Sequence, residues 1–139
     1  MALSQTITNE KGAKTTYHRV AKAELDFNKQ EAEITIYSYA TQTLRKAEKD
    51  EAATKVKRDT IMAELDALVA NPTDDNKDRR IELSNQVNEL PVVNEVTERH
   101  LVETKHKIQL TSDNFTLKDV YIWLKNSVYI GAIDAQLAD

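Results

Sequence analysis

No cysteine occurs among the 139 residues, and there are only two glycines, two prolines and one tryptophan. Without cysteine there is no disulfide framework and no thiolate zinc site, a usage that fits a reducing cytoplasm. So little glycine leaves few places where backbone can approach a ligand closely, as loop-built enzymes often require, and regular elements should dominate. No run approaches the ~20 apolar residues needed to span a bilayer. Residues 1–10 have neither the basic n-region nor the apolar h-region of a signal peptide. The expectation is a chain made in the cytoplasm that stays soluble, with no membrane partner.

An excess of positive charge is missing as well. Nineteen Lys and Arg stand against 23 Asp and Glu, a formal charge of −4, whereas phosphate binding needs concentrated cations to release counterions. The best basic cluster, Lys55, Lys57 and Arg58, is flanked by Asp50, Glu51 and Asp59 and reads as a solvated helix face. No nucleic-acid partner is expected.

Catalytic patterns are lacking too. There is no Gly-x-Ser-x-Gly elbow and no glycine-rich phosphate loop. Asp74 and Asp75 adjoin in a turn, which suits capping and not a general acid and base on opposite sides of a substrate. His100 and His106 share a strand parity but lie six residues apart, roughly 20 Å in an extended chain and too far to share a metal. His18 reads as a hydrogen-bonded structural histidine. The chain is expected to be no enzyme, with no catalytic residues, no metal and no cofactor.

What is present is a globular balance, 40% hydrophobic and 30% charged, over the length of one ordinary domain. Residues 2–8 are rich in Thr, Ile and Leu, and the following turn ends at Gly12, which can take positive φ. Residues 13–27 read as a second strand, although 21–25 suit a helix equally well. Residues 31–39 alternate cleanly, with Ala32, Ile34 and Ile36 on one side and Glu33, Thr35 and Tyr37 on the other. After Thr41 good helix formers continue to Ala70 without glycine or proline, and Ile61, Met62, Leu65, Leu68 and Val69 mark the second half as the buried one. The charged stretch 46–57 is expected to be the most solvent-exposed. Asn71-Pro72 breaks this helix, and a second, from about 77 to 90, carries Leu83, Val87 and Leu90 on one stripe until Pro91. Residues 92–110 turn extended again. Ser112-Asp113-Asn114 is a turn or N-cap, and a last helix opens at Thr116–Asp119 and runs to Asn126. The tail from Tyr129 either trails or docks on a neighbour.

The aromatics carry the interaction reading. Tyr37 and Tyr39 share the face opposite Ile34 and Ile36, so either a helix of the chain or a partner covers them. Trp123 lies between Ile122 and Leu124, which makes the last helix apolar on more than one side. With Tyr129 these are the candidate protein-interface residues, since large aromatics commonly dominate interfaces.

The segment Thr16-Tyr17-His18-Arg19-Val20, then Tyr37-Ser38-Tyr39-Ala40 and Arg45, resembles small tail-associated proteins of phages and prophages of Gram-positive bacteria. The end is similar to theirs as well, in Tyr121-Ile122-Trp123-Leu124-Lys125 and Gly131-Ala132-Ile133-Asp134. The sequence departs from that pattern in Asn126-Ser127-Val128-Tyr129 and in the helical middle, which looks like an insertion. The resemblance implies a structural part of the tail tip, baseplate or fibre region of the virion, with other phage structural proteins as partners and no catalytic residues to carry over.

The expected fold is α+β in a single domain: a small antiparallel β-meander with a C-terminal helix and an α-helical hairpin inserted at about 44–90. A homo-oligomer or symmetric assembly would follow from a virion role. The alternatives are an intracellular adaptor or regulatory protein that binds a partner through its helical hairpin and, third, a nucleic-acid binder.

Overall fold

The structure, a computed structural model, describes residues 1–112, 114–137 and 139. Alternation in the first forty residues folds as an antiparallel ladder of β1 (Leu3–Thr8), β2 (Lys14–Asp26) and β3 (Glu31–Tyr39). The first turn needs Gly12, whose φ is +81°, a conformation that costs glycine little. The Asn9 side-chain oxygen accepts from the Lys11 and Ala13 N–H groups at 3.0 and 2.8 Å. In the second turn the Asp26 carboxylate accepts from the Asn28 and Lys29 N–H groups at 3.0 and 3.1 Å. β2 stays a strand through residues 21–25, because Lys22, Ala23, Glu24 and Leu25 each find a partner on β3. Pairing decides what propensity left open.

β4 (Val102–Gln109) joins the outer side of β3, and β5 (Ile133–Asp134) joins the outer side of β1. The sheet order is β4-β3-β2-β1-β5, and with α1 (Gln42–Ala70), α2 (Lys77–Glu89) and α3 (Leu117–Ser127) the fold is α+β. The extended segment expected from residue 92 forms a ladder only from Val102. Parity therefore counts from that residue, and the two later histidines part company. His100 stacks on Tyr37, whereas His106 lies near Trp123.

The chain divides into two compact units, Met1–Lys46 with Arg99–Asp139, and Ala47–Glu98. In the first unit one sheet face supplies Ala32, Ile34, Ile36, Ile108 and Leu3. Val120, Tyr121 and Leu124 of α3, together with Tyr129, cover them. α3 starts at a capping box, in which Thr116 Oγ1 accepts from the Asp119 N–H and the Asp119 carboxylate accepts from the Thr116 N–H. This satisfies two N–H groups that the helix cannot. Of the turn expected just before it, Asp113 lies outside the described residues. At the bulge between Val20 and Lys22 the Val20 N–H donates to the Tyr121 hydroxyl at 2.8 Å, which ties α3 to the sheet. The tail docks: Tyr129 is buried, and the Ala135 N–H donates to the Ala2 carbonyl at 2.9 Å. A smaller core on the opposite face joins Ala2, Tyr17 and Tyr39 with the partly buried Tyr37, Leu44, Ala135 and Leu137.

In the second unit the helices run antiparallel, with Arg58 donating to the Val87 carbonyl at 2.8 Å and Arg79 to Glu64 at 2.9 Å. Leu83 and Val87 of α2 are buried. The second half of α1 is not the buried half that its pattern suggested. Ile61, Met62, Leu65 and Leu68 are half-buried and Val69 is exposed, while Glu48, within the stretch expected to be most exposed, is buried. A helix with one neighbour has its apolar stripe covered on one side only. Asn76 does not cap α2 with its side chain; its oxygen accepts instead from the Thr73 N–H and the Arg80 guanidinium. No helix among the described residues is long and apolar enough to cross a membrane.

Candidate functional site

Opposite the α3-covered face, the sheet of the first unit presents a second surface, closed at one end and open at the other. Register sets its composition. Arg19, Tyr37 and Glu103 form one row across β2, β3 and β4; Lys22, Thr35 and Lys105 form the next, and Glu24, Glu33 and Lys107 the third. All of these but Lys107, together with Ala21, line a depression of about 400 Å³. A neighbouring hollow of about 590 Å³ lies by the β2–β3 turn, where Leu25 and Phe27 are exposed.

Four of the charges on this face neutralise one another in pairs. Lys22 bonds to Glu24, and Lys105 approaches Glu33 at 3.9 Å. The bond to Lys22 holds the Glu24 carboxyl below its ordinary range and raises the Lys22 ammonium. Both therefore stay charged at neutral pH, which suits ion pairing and not proton transfer. Among the described residues no group of three His, Asp or Glu side chains is placed to hold a metal ion.

At the closed end Tyr37 is half-buried, stacked on the His100 ring at 3.8 Å and 13°, with the Arg19 guanidinium 5.2 Å from its centroid on a cation–π contact. Both aromatic contacts lie within the chain. Tyr39 is 0% exposed, accepts from Arg19 Nε at 3.0 Å and meets the Tyr17 ring edge-on at 5.9 Å. Tyr129, 3% exposed, sits on the other face against His18, with ring centroids 4.5 Å apart. Trp123 is partly buried against the main core. The four residues singled out in the sequence thus divide between two faces. Tyr39 and Tyr129 are consumed by the chain's own packing, while Tyr37 and Trp123 keep some exposure.

Sequence reasoning missed the polar cluster behind Tyr39. The Asp139 carboxylate accepts from Arg45 Nε at 2.7 Å and Nη2 at 2.6 Å, and from the Tyr17 hydroxyl at 2.7 Å. Burial alone would raise the Asp139 pKa, but the Arg45 and Tyr17 hydrogen bonds outweigh it and hold the carboxyl below its ordinary value. Burial, reinforced by the bond to Asp139, pushes the Tyr17 phenol far up. A bidentate guanidinium–carboxylate pair of this kind fixes position well. No sequence signal could have joined Arg45 to Asp139, which stand 94 residues apart.

His18 is equally well defined. Its Nδ1 lies 2.8 Å from the Ser38 hydroxyl and its Nε2 lies 2.8 Å from the Gln5 carbonyl. A carbonyl only accepts, so Nε2 carries the proton and Nδ1 accepts from Ser38. Burial lowers the His18 pKa, against the smaller opposing effect of the Gln5 carbonyl, and burial lowers that of His106 too. Because the folded chain binds protons more weakly than the unfolded one, stability is full above the ordinary histidine value of about 6.5 and declines as pH falls through the folded pKa values. Denaturant midpoints measured from pH 8 down to pH 5 should hold level and then drop below about pH 6.5. A flat profile in the parent chain would refute the buried neutral histidine.

Arranged in this way, the open face can make ion pairs and hydrogen bonds with another surface. No family model matches the chain, and no curated protein and no solved structure matches it either.

Proposed function

We propose that this protein is a non-enzymatic structural component of a tailed-phage virion, in the tail tip, baseplate or fibre region, acting by protein–protein assembly. The observation that carries the reading is the convergence of the residues that resemble tail-associated proteins. The early and late motifs, about a hundred residues apart in the chain, meet in the first unit. His18 bonds to Ser38, and the Val20 N–H bonds to the Tyr121 hydroxyl. A shared packing scheme is what a related scaffold would retain, and none of these contacts holds chemistry for a reaction. The second unit, a helical hairpin whose apolar stripe is only half covered, supports an assembly role because it offers surface to a neighbouring subunit. At a symmetric site modest surfaces act through many equivalent contacts, so weak affinity in solution is compatible with firm incorporation.

The test is to purify intact virions from a producing strain, identify their proteins by mass spectrometry, and image particles from a deletion strain. The expected result is the protein present in virions, with tails of the deletion strain misassembled or unable to adsorb. Its absence from particles, with normal tails in the deletion strain, would overturn the virion reading in favour of an intracellular adaptor that uses the hairpin.

A further inference from the structure

β4 is an edge strand of eight residues, with β3 on one side and no strand on the other among the described residues. It contains no proline, no glycine and no bulge. The Leu110 N–H donates to the Gln30 carbonyl at 2.7 Å, continuing the β3–β4 register. Since an antiparallel ladder alternates inward and outward peptide groups, the N–H and C=O of Glu103, Lys105, Lys107 and Gln109 point away from the sheet. A free row of this kind is a template for another strand.

The side chains say which strand fits. On the exposed face Lys105 is drawn towards Glu33 of β3, at 3.9 Å. Glu103 and Lys107 are exposed and have no ion-pair partner among the described residues. They are opposite charges placed symmetrically about Lys105.

We propose that β4 pairs antiparallel with β4 of a second copy of this chain, about a two-fold axis passing at Lys105. In that register Glu103 of each copy faces Lys107 of the other, and Val102 faces Ile108, so every such contact forms twice. The outward peptide groups of Glu103, Lys105 and Lys107 exchange hydrogen bonds across the axis, and two five-stranded sheets become one. Lys105 meets its own copy on the axis, each ammonium leaning to the Glu33 of its own chain. Other in-face registers fit less well. A shift of two residues one way sets Lys105 against Lys107, a like-charge contact. The same shift the other way matches Glu103 with Lys105 but shortens the overlap to residues 102–106. Lysines on edge strands often guard against pairing; here the unmatched glutamate two residues before Lys105 turns the pattern into a self-complementary one. The pairing deepens the assembly reading above, but it is tested on purified chain, so its failure and the failure of virion incorporation are measured separately.

Sedimentation equilibrium of the full chain at low salt should show a monomer–dimer equilibrium. Glu103→Lys and Lys107→Glu should each weaken the dimer about 10- to 100-fold, because the two-fold axis doubles every change. The double variant E103K/K107E, with the charges exchanged in one chain, should return to within about threefold of the parent. A chain monomeric at all concentrations would overturn the pairing. So would a dimer indifferent to both single changes, or a double variant no tighter than the singles. Should a variant fail to match the parent in far-UV circular dichroism, amide exchange in the parent chain decides instead. Protection of Glu103, Lys105 and Lys107 that grows with concentration supports the edge, and protection independent of concentration overturns it.

Discussion

Ile34→Asp abolishes the folded state of the first unit, whereas Thr35→Asp one residue away leaves it nearly intact. Ile34 is 0% exposed in the middle of the main core, between Ala32 and Ile36 on β3 and beneath α3. Its cross-strand neighbours are Ala23 and His106. Burial lowers the His106 pKa, so at neutral pH a carboxylate there faces a neutral ring, and an uncompensated buried charge costs about 3–5 kcal/mol or drives the group to protonate. Added to the lost apolar burial, that consumes most of the ~5–15 kcal/mol that keeps an ordinary domain folded. Ile36→Asp should behave alike. Thr35 points to the other face and stands between Lys22 and Lys105 in the cross-strand register. A carboxylate at that position gains opposite charges as neighbours, so a shift of only a few degrees in melting temperature is expected. Thermal melts followed by circular dichroism decide the matter. Equal tolerance of all three substitutions would contradict the register.

Arg45→Ala should be the costliest single change among the polar residues. The Arg45 and Asp139 side chains are 14% and 7% exposed, and their bond is bidentate. Removing the guanidinium leaves a nearly buried carboxylate with the Tyr17 hydroxyl as its remaining partner in the cluster, at a cost of about 3–5 kcal/mol. Burial then acts on Asp139 with far less opposition, so its pKa rises from its lowered value. The parent chain keeps this contribution above the ordinary carboxyl pKa and loses it as pH falls through the lowered folded value. The variant lacks it at every pH. The double variant Arg45→Ala with Asp139→Ala should recover part of the loss, since no buried charge is then left alone. Urea midpoints at pH 7 for the parent, the two single variants and the double variant give the coupling. Additive losses would mean that the pair contributes nothing as a pair.

Much of the architecture was legible because local rules act within short windows. The alternation of residues 31–39 located β3 and its core face, since successive side chains of a strand point to opposite sides. Gly12, Asn71-Pro72 and Thr116–Asp119 marked a turn and two helix boundaries through constraints that each operate over a few residues. The helical hairpin between the third and fourth strands followed from propensity and spacing alone.

Other features depended on partners remote in the chain. The two-residue β5 exists because β1 offers it an edge, and no pattern of Ile133 and Asp134 predicts that. Residues 92–100 carry strand-like residues yet form no ladder, while 21–25 carry helix-like ones and do, because hydrogen bonds to β3 decide both. The periodicity of α1 identified an apolar stripe but not its coverage, which depends on how many helices flank it.

The candidate interface shows the same division. Residue type and parity sufficed to place Tyr37 and Tyr39 on the face opposite Ile34 and Ile36. Which of them stays reachable was settled by Leu44, Ala135 and Leu137, brought over Tyr39 from distant parts of the chain. Short-range order was written in the sequence because neighbouring residues share one backbone and one period. The closing of the second core, the Arg45–Asp139 pair, the burial of Tyr129 and the open edge of β4 were decided by tertiary structure. Each is a relation between segments tens of residues apart, and only the folded chain brings such segments within contact distance.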